Sequence, residues 1–176
     1  MLIDLNKEML ISNDSNNAYV DLDKFRKALE IISNDIIQYR DENVCLLGIA
    51  RGGLPLMTGV SHFSGIRDVT AIQIQMNKSD KQHDYGKAFI RDASFNDGFS
   101  KYILFEDIIY KGQSINQVTK ILKEKGKEVL GVYSLVKDEN FENDSVYEFP
   151  EVPIKYVYTV TKDHWVYFPW ERGFSE

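Results

Sequence analysis

A single cysteine, Cys45, is present among 176 residues, so an internal disulfide framework and a cysteine-built zinc cluster are both excluded. It sits inside an apolar run and reads as a small buried hydrophobe, the form suited to a reducing cytoplasm. Basic side chains are also short: 21 Lys and Arg stand against 27 Asp and Glu, a formal net charge of −6. That balance argues against general nucleic-acid or membrane-surface binding, since either needs a basic face. No apolar run approaches the ~18 residues of a membrane span. The opening MLIDLNKEML lacks the basic-then-apolar layout of a signal peptide. What remains, 43% hydrophobic and 27% charged residues, is the composition of an ordinary globular domain, here a single one over residues 1–176.

Periodicity supplies the elements. Residues 1–20 read as a short strand or extended lead-in. Asp21 is placed to cap a helix reaching about Arg40, because Leu22, Phe25, Leu29, Ile32, Ile36 and Tyr39 recur at steps of three and four. Val44–Ala50 is continuously apolar, as befits a strand covered on both faces of a parallel sheet. Arg51-Gly52-Gly53 interrupts it, and a helix with Pro55 in its first turn follows to about Phe63. Further strands are expected at Val69–Gln75, Tyr102–Phe105, Val129–Val136 and Ile154–Val160, with a helix from about Ser114 to Lys125 ended by Gly126. Residues 76–100 are polar and weakly periodic, and are expected to form a lid loop or a two-stranded excursion. The strand–helix alternation predicts an α/β fold, a doubly wound, mainly parallel five-stranded sheet flanked by helices.

Ligands in such folds sit beyond the carboxyl ends of the strands. There the chain carries Arg51-Gly52-Gly53, then Glu106-Asp107 with Lys111-Gly112-Gln113-Ser114, then Lys137, then His164-Trp165-Val166. Gly112 permits a tight turn whose following amides open a helix, a setting that holds a phosphate, with Ser114 and Lys111 adding a hydroxyl and a charge. Arg51 and the glycine-freed amides beside it could hold a second phosphate group. Two adjacent carboxylates would repel phosphate, so Glu106 and Asp107 face something else: sugar hydroxyls or a divalent cation. A sugar with a phosphate at each end suits the set.

The segments VCLLGIARGGLPLMTGVSHF, YILFEDIIYKGQSINQVTKIL, VYSLVK and HWVYFPWE resemble the type I phosphoribosyltransferases, and within them the xanthine-guanine/hypoxanthine branch of purine salvage. The resemblance implies Mg²⁺-dependent transfer of a phosphoribosyl group from phosphoribosyl pyrophosphate to a 6-oxopurine. It implies that Glu106 and Asp107 hold the ribose hydroxyls, and that Lys111, Gly112, Gln113 and Ser114 hold the 5-phosphate. Arg51, Gly52 and Gly53 would hold pyrophosphate. Lys137 would donate to the purine 6-oxo group, Trp165 would stack on the base, and the Val166 backbone would read its edge. Glu171, with Asp107, would serve the magnesium. A small hood built from the chain ends, with a base-binding segment at about 138–176, and a homodimeric or homotetrameric state belong to the same expectation. Trp170 reads instead as packing, and His164 as a bystander.

One departure matters. The family's phosphate loop carries a third acid, the expected general base, where this chain has Tyr110, and a threonine where it has Lys111. A tyrosine loses its proton near ~10 when unperturbed and is a poor base at neutrality. A working, slower enzyme is one reading. A non-catalytic nucleotide-binding regulator is the other.

Overall fold

The computed structural model describes residues 1–10, 17–76, 88–93, 95, 98–141, 148, 151–161 and 164–171. In chain order the elements are β1 (Leu2–Leu10), β2 (Asn17–Tyr19), α1 (Leu22–Ile36, with a 3-10 turn at Ile37–Tyr39), β3 (Val44–Ala50), α2 (Gly53–Ser64), β4 (Val69–Met76), β5 (Ala88–Ala93), β6 (Lys101–Ile109), α3 (Gln113–Glu124), β7 (Glu128–Asp138), β8 (Ile154–Val160) and β9 (Trp165–Tyr167). Asp21 caps α1 as expected, its Oδ1 accepting from the Lys24 amide at 2.7 Å. Gly65 at φ 76° and Gly126 at φ 69° close α2 and α3 in the left-handed region open to glycine.

Among the described residues seven strands form the main sheet in the order β1-β8-β7-β6-β3-β4-β5, parallel throughout except for antiparallel β5. Alternation along the strands divides the core. Leu46, Ile103, Phe105 and Tyr133 face α1 and α2, whereas Leu47, Tyr102, Leu104 and Val132 face α3. Helices thus cover both faces, the doubly wound arrangement expected. Cys45 is 1% exposed, and burial pushes its thiol up to about 12, so it is an inert part of this core.

The expected five strands become seven. β1 escapes a simple pattern because it is a half-covered edge strand: Asp4 Oδ1 accepts from the Asn6 and Lys7 amides, Lys7 takes φ 54°, and the register against β8 shifts between Asp4 and Glu8. β5 falls within residues 76–100, and most of the lid expected there lies outside the described residues. Two more expectations shift. β6 runs through Glu106 and Asp107 instead of stopping at Phe105, and Lys137 lies within β7 instead of after it. Both strands lengthen because their neighbours keep pairing, as in Ile109 with Lys137. The hood is a separate two-stranded sheet in which β2, from one end of the chain, pairs parallel with β9, from the other. Among the described residues no helix is long and apolar enough to cross a membrane.

Candidate active site

Three strand ends and the hood meet around one pocket of about 970 Å³. Its floor is set by close packing between the turn after β3 and the middle of β6. A Cβ on Gly52 would lie 1.8 Å from Asp107 Oδ2, and one on Gly53 would lie 2.2 Å from the Phe105 carbonyl oxygen. Only hydrogen side chains allow the Arg51 turn to lie against the acidic pair. The Ala50–Arg51 peptide bond is cis. Arg51 and Gly52 line the pocket, and Gly53 serves the packing of α2 on β6.

The carboxylates lie in the sheet, not at its solvated edge. Glu106 is only 8% exposed. Burial first, and then the neighbouring Asp107 charge, push its carboxyl well above the usual range. Burial also raises Asp107, with the Glu171 charge adding to the rise and the Ile108 amide opposing it. The hydrogen bond between the two carboxyls raises Glu106 and lowers Asp107, so Glu106 is the one that holds its proton more strongly. Asp107 Oδ1 also accepts from the Ile108 amide at 2.8 Å, which fixes the carboxylate beside the Arg51 turn.

The third wall is the start of α3. Gly112 stands at its N-cap with φ 71° and makes no side-chain cap, so no carboxylate or hydroxyl of the cap covers the first helical amides. Lys111, Gln113 and Ser114 line the pocket beside it. The Lys111 ammonium lies 5.6 Å from the centre of the Tyr110 ring, a cation–π approach that keeps both on the same rim. Gly112→Ala forces a side chain into the left-handed region at a cost of about 1–2 kcal/mol. The expected result is a lower melting temperature together with weaker binding of inorganic phosphate, read by thermal melts and calorimetric titration.

The roof comes from the hood. Trp165, Val166, Tyr167, Phe168, Trp170 and Glu171 all line the pocket. Tyr167 stacks on Tyr19 at 5.2 Å, which ties the roof to β2. Trp170 stacks on Phe168 at 5.1 Å and meets Phe25 edge-on at 5.2 Å. It therefore packs the hood onto α1 and also reaches the pocket. Glu171 Oε2 accepts from the Phe168 amide at 3.1 Å. His164 lines the pocket as well, with Nδ1 2.8 Å from Thr161 Oγ1.

Lys137 is not among the pocket-lining residues. It is 5% exposed, and its ammonium lies 5.1 Å from the centre of the Tyr156 ring. The residue after it, Asp138, does line the pocket and is 3% exposed. Sequence reading passes over Asp138 because it opens the acidic stretch 138–150; its position directly after an apolar strand is the available signal.

The donor set fits a hard cation. Glu106, Asp107 and Glu171 offer carboxylate oxygens, and the Glu171 charge is felt at Asp107. Among the described residues no cluster of three or more potential ligands is tight enough to cage an ion alone. Mg²⁺ does not need such a cage: it keeps waters and takes phosphate oxygens from a substrate.

Comparison with known proteins matches residues 15–174 to the phosphoribosyl transferase domain. The orotate phosphoribosyltransferase of Methanocaldococcus jannaschii is 28% identical over 156 residues, covering 84% of each chain. The purine phosphoribosyltransferase of Pyrococcus horikoshii superposes with a TM-score of 0.70 at 21% identity, over 92% of this chain and 99% of that one. A protein of Neisseria gonorrhoeae solved with bound ppGpp gives a TM-score of 0.74 at 14% identity, over 93% of both chains.

Proposed function

Because the chain belongs to the phosphoribosyl transferase domain family, we propose that it moves a phosphoribosyl group from phosphoribosyl pyrophosphate to a 6-oxopurine: guanine, hypoxanthine or xanthine. The observation that carries this reading is the meeting of Arg51, the Glu106–Asp107 pair, the Gly112–Ser114 helix start and Trp165 in one pocket. The two anion cradles, with the acids between them, match one sugar phosphorylated at both ends.

In this reading the Gly112, Gln113 and Ser114 amides, the Ser114 hydroxyl and Lys111 hold the 5-phosphate. Glu106 and Asp107 take the ribose hydroxyls, accepting from them through the carboxyl oxygens that their mutual hydrogen bond leaves unused. Arg51 and the Gly52–Gly53 turn hold the pyrophosphate as charge builds on it. Mg²⁺, held by Asp107 and Glu171 with substrate oxygens, would neutralise part of that charge. Trp165 stacks on the base, worth about 1–3 kcal/mol by analogy with base–aromatic stacking elsewhere. The Val166 backbone reads the base edge. For Lys137 to reach a 6-oxo group its ammonium must leave the face of Tyr156. The hood and the apolar residues around Trp165 limit water, which would otherwise hydrolyse the activated sugar.

The test is a product assay with phosphoribosyl pyrophosphate, Mg²⁺ and guanine, xanthine, hypoxanthine, adenine and orotate in parallel. Orotate is included because it is the substrate named for the M. jannaschii relative. Nucleotide from a 6-oxopurine supports the proposal; nucleotide from orotate alone, or from none, contradicts it. Tyr110 favours a second reading, a nucleotide-binding regulator on the same fold. That reading expects calorimetric binding of nucleotide without turnover, and gain of activity in Tyr110→Asp.

A further inference from the structure

A base stacked on Trp165 is held as firmly as that ring itself is held. We propose that Tyr19, from the start of the chain, is a positioning residue for the base: it fixes the Tyr167 ring, which in turn fixes Trp165. The inference rests on the transferase reading above, in which Trp165 stacks on the acceptor.

The hood is a ribbon of two short strands that pairs Asn17 with Trp165, Ala18 with Val166 and Tyr19 with Tyr167. A two-stranded ribbon is marginal by itself, so what its two faces touch decides how well it is held. One face is anchored: Ala18 is fully buried, Val166 nearly so, and both join the main core. Side chains alternate along a strand, so the other face carries Tyr19, Trp165 and Tyr167. All three are half-buried, and Trp165 and Tyr167 line the pocket. Tyr19 is not among the lining residues. Its ring lies face to face with that of Tyr167, centres 5.2 Å apart and planes 16° apart. Tyr167 in turn meets Trp165 at 6.5 Å with the planes 60° apart, an edge contact. Opposite Trp165 stands Asn17, so β2 sets no ring directly across from Trp165, and its hold on that ring passes through Tyr167.

Backbone pairing does not replace this stack. The ladder, with the Val20 amide donating to the Tyr167 carbonyl at 2.9 Å, fixes where β9 runs. It does not fix the rotation of the Tyr167 ring about its side-chain bonds. A flat ring directly across the ribbon closes one side of Tyr167 and favours one ring plane. The two anion cradles belong to other elements, the turn after β3 and the start of α3. The stack therefore bears on the base and not on the phosphates.

Tyr19→Leu removes the ring and keeps an apolar side chain; Tyr19→Phe keeps the ring and removes the hydroxyl. Initial rates are read with the base that the wild type uses, alongside thermal melts. In Tyr19→Leu the KM for the base is expected to rise about five- to tenfold, with the KM for phosphoribosyl pyrophosphate within about twofold of wild type. Tyr19→Phe is expected to restore the KM for the base. Tyr167→Leu should raise that KM as well, and adding Tyr19→Leu to it should change it by less than about twofold more, because the ring through which Tyr19 acts is gone. Equal rises in both KM values overturn the proposal, as does a rise that Tyr19→Phe shares. So does a full further rise in the Tyr167→Leu background, and so does a Tyr19→Leu chain that loses its fold, since the ring would then hold up the hood as a whole. A wild type that turns over no base overturns the transferase reading and this inference together. An active wild type whose KM for the base is unchanged in Tyr19→Leu overturns this inference alone.

Discussion

Gly52→Ala is expected to remove turnover while leaving the chain folded, and Gly53→Ala to strike stability first. The two glycines are neighbours, but their missing Cβ atoms would meet different things. At Gly52 the obstacle is the Asp107 carboxylate, 1.8 Å from the Cβ position. A side chain of that length can swing aside, so the fold survives, but the carboxylate then leaves the place where the sugar hydroxyls would meet it. Misplacing a reacting partner by about 1 Å costs on the order of 100-fold, and kcat/KM should fall by at least that much. At Gly53 the obstacle is the Phe105 carbonyl oxygen at 2.2 Å, part of the β6 backbone. Neither α2 nor the central strand yields cheaply. Overpacking of this kind costs about 1–3 kcal/mol or more, several degrees of melting temperature in a chain of this size. Initial rates and thermal melts of the two variants side by side read both effects.

Glu106→Gln is expected to stabilise the protein at neutral pH while crippling it as an enzyme. Both carboxyls of the pair titrate higher in the folded chain than in the unfolded one, Glu106 the more strongly. Between the unfolded value and the raised folded value the native state binds more protons, so its stability falls as pH rises through that window. Above the window the whole penalty of a buried, doubly charged pair is present. Below about pH 4, where both states are protonated, it is absent. The side-chain amide introduced by Glu106→Gln can donate to Asp107 as the protonated acid does, without the charge. The melting temperature of Glu106→Gln should therefore exceed that of the wild type by about 2–4 °C per kcal/mol relieved at pH 7–8, and the difference should vanish near pH 4. Activity should fall at every pH. A constant difference across that range would mean that the pair is not held protonated by burial.

Much of this arrangement is legible in the residues. β3 begins and ends where its apolar run does, at Val44–Ala50, because a strand covered on both faces leaves little room for polar residues, and β8 keeps the bounds of its alternating run, Ile154–Val160. The gathering of Arg51, Glu106, Asp107, Gly112 and Trp165 follows from the rule that ligands collect at the carboxyl ends of parallel strands. What escapes depends on neighbours distant in sequence. Two adjacent acids look like the end of a strand; Glu106 is buried because it stays paired with Ser134 of β7. Residues 2–10 alternate poorly because β1 bulges at Lys7. Lys137 reads as a rim residue until Tyr156, on the adjacent strand, is found beneath its ammonium. Asp138 disappears into an acidic stretch until its burial is seen.

The claim beneath all of this is that a single small molecule spans the Arg51 turn and the α3 start. Calorimetric titration of phosphoribosyl pyrophosphate with Mg²⁺ into wild type, Arg51→Ala and Ser114→Ala tests it directly. One site per chain is predicted, weakened by each substitution by about tenfold or more, or about 1.4 kcal/mol. Binding that one substitution weakens and the other leaves untouched would contradict the account, because the two cradles would then not be gripping the same ligand.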